Sequence, residues 1–214
     1  MKIDLHTHSV ASPDGSLTEA HYRRMLAHGL DYIAITDHNT TDFARRMQQQ
    51  LGEHIIVGEE IMTSEGEIIG LYLTADVPAG LSAADTVRAI AQQGGLVYIP
   101  HPFETVRKGI GTQALDAIAP NVAIIETHNG RAVLQNKTHA AQAWALAHDT
   151  PGAASSDAHG WHGWGKTYNI VSEAPTRDTL VSLLSAGRTV VGWPGVRGLL
   201  YPKFNKLRKK QLHA

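Results

Sequence analysis

The sequence predicts an α/β barrel, and two observations carry that reading. Short runs rich in Ile, Val and Leu alternate with helical stretches along the N-terminal two thirds, and about seven such runs occur. Alternating strand and helix implies a parallel sheet with helices outside it, and about seven units bring such a sheet to a closed or nearly closed barrel. A third observation, the placement of the histidines, says which end of that barrel matters.

Candidate strands cover residues 2–6, 32–36, 54–59, 68–73, 96–100, 122–127 and 152–155, each apolar enough to be buried on both faces. Thr18 is placed to cap a helix over 19–28 that stops at Gly29. Ser82 is placed likewise for 83–93, which stops at Gly94-Gly95. The Ala-rich stretch 131–148 reads as a third helix with Pro151 just beyond it, and an eighth strand starts near Lys166. Repeats and Pro/Gly/Ser linkers are absent, so residues 1–200 read as one barrel domain followed by a basic tail over 201–214.

Composition narrows the class. With 20 acidic and 19 basic residues the net charge is −1, which argues against electrostatic adhesion of the whole chain to nucleic acid or membranes. The sequence has no apolar run of membrane-span length, and its first residues do not read as a secretory signal, so the expected location is the cytoplasm. Zero cysteines exclude disulfides, thiolate nucleophiles and Cys-ligated zinc. The unusual number is 13 histidines.

They fall at strand ends. His6 and His8 follow the first strand, His38 the second, His101 the fifth and His128 the sixth, while Asp157 and His159 follow the seventh. Asp14 lies in the first loop, and Glu59-Glu60 end the third strand. In such barrels the C-terminal strand ends form one rim, where chemistry is placed. A lone His-x-His pair is weak evidence, because 13 histidines in 214 residues give roughly one by chance. Many imidazoles and carboxylates on one rim are a stronger signal, since neutral imidazole and carboxylate together suit zinc, manganese or iron. His21, His28, His54, His139, His148, His162 and His213 lack that placement and read as surface or hydrogen-bonded residues.

The ordered set His6-Thr7-His8-Ser9, Ser12-Pro13-Asp14-Gly15, Ile35-Thr36-Asp37-His38, Gly58-Glu59-Glu60, Pro100-His101-Pro102 and Ser156-Asp157-Ala158-His159 resembles the PHP (polymerase and histidinol phosphatase) family over residues 1 to about 170. The resemblance implies a distorted seven-stranded, amidohydrolase-like barrel with two or three divalent metal ions at its C-terminal rim. It implies a phosphoesterase that hydrolyses a small phosphorylated metabolite or nucleotide through metal-activated water. Position by position, His6 and His8 would hold a first metal with Asp157, and Glu60 would bridge to a second held by His101. Asp14, His38 and His159 would hold a third. Asp157 would also transfer the proton. Where many relatives carry a histidine after the bridging acid, this chain has Glu67, an alternative oxygen ligand; His128 is a further candidate.

A phosphoester also calls for positive side chains, and Arg107 and Arg131 lie in loops expected on the same rim. The loop Trp161-His162-Gly163-Trp164-Gly165 offers indoles either to wall a pocket or to pack. The basic segment 203–210 reads as a solvated tail, or as a weak contact for nucleic acid or an acidic partner. Two other readings stay open: hydrolysis of a non-phosphate bond in the manner of amidohydrolases, and a non-catalytic metal-binding accessory domain. Oligomeric state leaves no signature in the sequence.

Overall fold

The computed structural model describes residues 1–133 and 135–212. Its first half runs β1 (Lys2–Asp4), α1 (Glu19–His28), β2 (Tyr32–Ile35), α2 (Asp42–Leu51), β3 (Ile55–Met62), β4 (Glu67–Leu71), α3 (Ala83–Gln92) and β5 (Leu96–Ile99). Then come α4 (Thr112–Ile118), β6 (Ile124–Asn129), α5 (Thr138–Ala147), β7 (Gly152–Ser155), β8 (Tyr168–Ile170), α6 (Leu180–Ala186), β9 (Arg188–Val190) and α7 (Gly195–Leu212).

Among the described residues nine strands form one sheet in the order β7-β6-β5-β4-β3-β2-β1-β8-β9. The sheet curls until its first and seventh strands meet. Thr7, just past β1, bridges Ala158, just past β7, and the His8 amide donates to the Ala158 carbonyl at 2.9 Å. The Asn169 side chain in β8 completes the seam, bonding the amide and carbonyl of Ala154 at 2.8 Å each. The result is a distorted, nearly closed α/β barrel.

The distortion corrects the expectation of a purely parallel sheet. β1, β2 and β3 are parallel, as are β5, β6 and β7, but β4 runs antiparallel to both its neighbours. Met62 pairs with Glu67 across a short loop, in which the Thr63 hydroxyl donates to the Gly66 carbonyl at 2.6 Å. A parallel crossover needs a dozen or more residues, so so short a connection can only reverse the chain. β8 and β9 are antiparallel as well.

Strands β2 to β6 are buried on both faces because their side chains alternate between two cores. Ile33, Ile35, Ile55, Val57, Val97 and Ile99 pack outward against Tyr22, Met25, Phe43, Met47, Val87 and Ile90 of the helices. Tyr32, Ala34, Ile56, Ile69, Tyr98 and Ile124 pack inward, and Leu180, Leu183 and Leu184 of α6 join that inner cluster. Burial of each large aliphatic chain stabilises by about 1.5–3 kcal/mol, which fixes the register.

Helix α1 occupies the expected span, whereas α5 begins seven residues later than the Ala-rich stretch suggested. Helices α2, α4 and α6 were not anticipated. The segment expected as a solvated tail lies inside α7. Asn205 is buried and donates to the carbonyls of Asp14 at 2.7 Å and His159 at 3.1 Å. Lys209 Nζ donates to those of Val10 and Ser12 at 2.8 and 2.5 Å. Loop carbonyls at the rim therefore supply partners that a stretch of basic residues does not advertise. Among the described residues no helix is long and apolar enough to cross a membrane.

Candidate metal centre

The C-terminal strand ends converge on a cavity of about 380 Å³. Four sets of ligand-type atoms, each within 4.8 Å of one another, lie there: His6, His8 and Asp157; His6, Glu60 and His101; His8, Asp14, His38 and His159; and His38, Glu60 and Glu67. His6 and His8 are wholly buried beneath the cavity, while Asp14, His38, Glu60, Glu67, His101, Asp157 and His159 line it. The sets share members, so they are parts of one cluster.

Local backbone geometry aims these side chains. His101 and Asp157 have φ of 26° and 50°, left-handed values that turn the chain sharply as it leaves its strand. Gly15 lets the Ser12–Gly15 turn close over the first loop and present Asp14, because a Cβ there would sit 2.0 Å from the Ser9 carbonyl oxygen. Gly109 does the same for the Arg107 loop, where a Cβ would meet the His101 carbonyl oxygen at 2.2 Å.

Hydrogen bonds fix which imidazole nitrogen faces inward. Ser12 donates its hydroxyl to Asp37 Oδ1 at 2.7 Å, so its oxygen accepts from His8 Nδ1–H at 3.1 Å and leaves the His8 Nε2 lone pair toward the cluster. His6 Nδ1 donates to Glu126 Oε1 at 3.2 Å, and His159 Nδ1 to the Asp157 carbonyl at 2.9 Å. The freed Nε2 atoms meet acceptors. His6 Nε2 and His8 Nε2 are 3.0 Å apart, and His8 Nε2 is 3.2 Å from Glu60 Oε2. His101 Nε2 lies 3.0 Å from Glu60 Oε1, and His38 Nε2 and His159 Nε2 each lie 3.5 Å from Asp14 Oδ1.

Electrostatics follow from this crowding. Burial and the neighbouring His159 push the His8 pKa down to about 3, so His8 is neutral. Burial also disfavours charge on His6, but Glu60, Asp157 and Glu126 outweigh it and hold its pKa well above the usual value. His38 is raised to about 9 by Glu60 and Asp14 against burial. Burial works against ionised Glu60 and Asp157 too, yet the facing histidines, with Arg131 beside Asp157, keep both carboxyls well below their ordinary range. Burial and nearby Glu60 lift Glu67 to about 9.

This donor set fits divalent cations. Asp14 Oδ1 and His101 Nδ1 are buried without a hydrogen-bond partner. Nitrogen and carboxylate atoms abut, and although Arg107 and Arg131 reach Asp157 and Lys206 reaches Asp14, cations among the inner atoms would offset the remaining desolvation and repulsion. His6, His8, Asp14, His38, Glu60, Glu67, His101, Asp157 and His159 all belong to it.

His128 does not. It is half-buried beside α5, near Thr127 Oγ1 at 3.1 Å and Gln142 Nε2 at 3.4 Å. A β-bulge between Glu126 and His128 breaks the two-residue alternation that would have put His128 on the side of Glu126. Of the isolated histidines, His21 caps α1 through Thr18, and His54 and His148 bond backbone carbonyls. His213 lies outside the described residues. Trp161 packs beneath His21 and the Arg24 guanidinium, so the indole loop covers α1 and does not line the cavity.

Both arginines do line it. Arg107 Nη1 donates to Asp157 Oδ2 at 2.8 Å while its Nε and Nη2 grip Glu104 at 2.8 and 2.6 Å. Arg131 Nη1 lies 3.1 Å from Asp157 Oδ2. Sequence reasoning missed Glu126, wholly inside, which also accepts from Tyr98 Oη at 2.8 Å, the His101 amide at 2.7 Å and Asn129 Nδ2 at 2.8 Å. Its place two residues before His128 at a strand end was the available signal. Asp37, Asn129 and Lys206, whose Nζ is 3.2 Å from Asp14 Oδ2, were missed as well.

Comparison with known proteins places the chain. A family model described as PHP-associated matches residues 136–189. The uncharacterized protein MJ1587 of Methanocaldococcus jannaschii is 34% identical over 150 residues, which are 64% of this chain and 88% of that protein. MJ0417 of the same organism is 32% identical over 185 residues, 81% of this chain and 71% of that one. A two-domain protein of Bacteroides vulgatus, containing a predicted PHP-like metal-dependent phosphoesterase, superposes with a TM-score of 0.71 at 21% identity. That match covers 96% of this chain and 69% of the other. Fold and site together define an α/β barrel with a histidine–carboxylate rim. The chain belongs to the PHP family.

Proposed function

We propose that the protein is a metal-dependent phosphoesterase acting on a small phosphorylated metabolite or nucleotide, with residues 1–200 as its barrel domain. The observation that carries this is the position of Arg107 and Arg131, both on Asp157 and both at the wall of the cavity that holds the histidine–carboxylate cluster.

In this reading His6, His8 and Asp157 would hold one divalent ion, Glu60, His101 and Glu67 would hold a second, and Asp14, His38 and His159 would hold a third. Such ions lower the pKa of a bound water towards ~7 and offset charge on a transferring phosphoryl group. The protein supplies the rest. Asp157 Oδ1 faces His6, His8 and His159, Oδ2 takes Arg107, and Arg131 Nη1 is shared between the two oxygens at 3.2 and 3.1 Å. An entering phosphate competes for Arg107 and Arg131, whose N–H groups suit its oxygens. Released from them, Asp157 Oδ2 accepts the proton of the attacking water. The arginine pair favours a phosphoester over an amide, whose neutral carbonyl has no use for two guanidiniums.

The test is hydrolysis of a panel of phosphomonoesters, phosphodiesters and nucleotide bisphosphates by protein stripped of metal and reloaded with zinc, manganese or iron. Turnover is expected only after loading, and His8→Ala and Asp157→Ala are expected to abolish it with circular dichroism unchanged. Turnover that survives both chelation and these substitutions would refute the mechanism.

A further inference from the structure

Of the large apolar side chains exposed among the described residues, four lie on the outward face of α7. Val196, Leu200, Phe204 and Leu207 are 60%, 55%, 63% and 57% exposed, and their spacing of four, four and three places them in one stripe along the helix. Gly198, Pro202 and Asn205 form the buried face half a turn away, so the stripe points away from the barrel. Lys203 and Lys210 flank it on one side, Arg197 and Arg208 on the other, all exposed. Trp193, 64% exposed, extends the apolar surface at the helix start.

Charge selects the occupant. The helix holds six basic residues and no acidic one, leaving 13 basic against 20 acidic residues elsewhere. Net charge over the whole chain hides this asymmetry. A second copy of the same face is disfavoured by like charge, and a phosphate backbone alone leaves four large apolar side chains without a partner. An apolar crest about 17 Å long with cations on both flanks matches a helix lying in the interface of an anionic bilayer. There the crest enters the acyl boundary while the flanking Lys and Arg reach the headgroups.

We infer that α7 is a docking surface for anionic lipid bilayers, holding the barrel at the membrane surface without crossing it. This is independent of the reaction at the cavity, and residues of that site take no part in its test. The experiment is flotation of the full chain with vesicles of equal parts phosphatidylglycerol and phosphatidylcholine, against vesicles of phosphatidylcholine alone. Binding is expected to be at least about tenfold tighter to the anionic vesicles and to weaken with salt. Leu200→Ser with Phe204→Ser, and separately Lys203→Glu with Lys210→Glu, are each expected to weaken it about tenfold or more without changing the melting temperature. Three results would overturn the inference: no flotation, flotation indifferent to the serine variant, or self-association in sedimentation equilibrium that the same variant abolishes.

Discussion

Arg131 and Arg107 both contact Asp157, with unequal structural weight. Arg107 is tied to Glu104, Asn129 and Asp157, so its removal strands buried carboxylates. Arg131 Nη1 makes its charged contacts to Asp157 alone, which makes Arg131→Ala the cleaner probe. Loss of a charge-assisted hydrogen bond of about 1.5–3 kcal/mol predicts a KM for a phosphoester raised roughly 10- to 100-fold, with kcat moved less. Steady-state kinetics check this, and Arg131→Lys should recover part of the loss. A merely structural arginine would lower the melting temperature and leave KM alone. Glu126 is a positioning residue: four donors converge on it, and it fixes both the His6 tautomer and the His101 backbone.

Helix α7 is the element whose role departs most from its sequence. Its inner face closes the rim through Asn205, which satisfies the carbonyls of Asp14 and His159. Asn205→Ala leaves the Asp14 carbonyl without its donor in a buried setting, while His159 keeps Ser16, a cost of about 1–3 kcal/mol. In a chain of this size that predicts a melting temperature lower by about 2–10 °C, with amides of α7 exchanging faster than those of β2 or β5 by hydrogen–deuterium exchange. An unchanged exchange pattern would mean that the helix is held by other contacts. The reversal at β4 shows the same dependence on neighbours, since a short loop decides strand direction and brings Glu67 to the cavity beside Glu60 and His38.

At the scale of the whole molecule, the first and seventh strands meet at the seam where His8 and Ala158 bond, and the cluster spans that seam. Cations bound there join parts of the chain some 150 residues apart and stabilise the native state alone. Saturation at about 100-fold over the dissociation constant adds about 2.7 kcal/mol, which predicts a rise in melting temperature of about 5–10 °C on adding manganese or zinc. Chelation should reverse it, and His8→Ala should abolish it. A melting curve indifferent to metal would argue against cation binding at the rim.

The repeating strand and helix pattern, the absence of cysteine and the ordered strand-end motifs determine the barrel and most of the cluster. Each of these is a local property, a period of two or 3.6 residues or a side-chain type at a strand end. Tertiary structure decided the rest. The bulge in β6 that removes His128, the reversal that brings in Glu67, the left-handed turns at His101 and Asp157, and the docking of a basic helix on loop carbonyls all depend on distant partners. Periodicity tells which way a side chain leaves the backbone, but what it meets there is set by chain from elsewhere in the barrel.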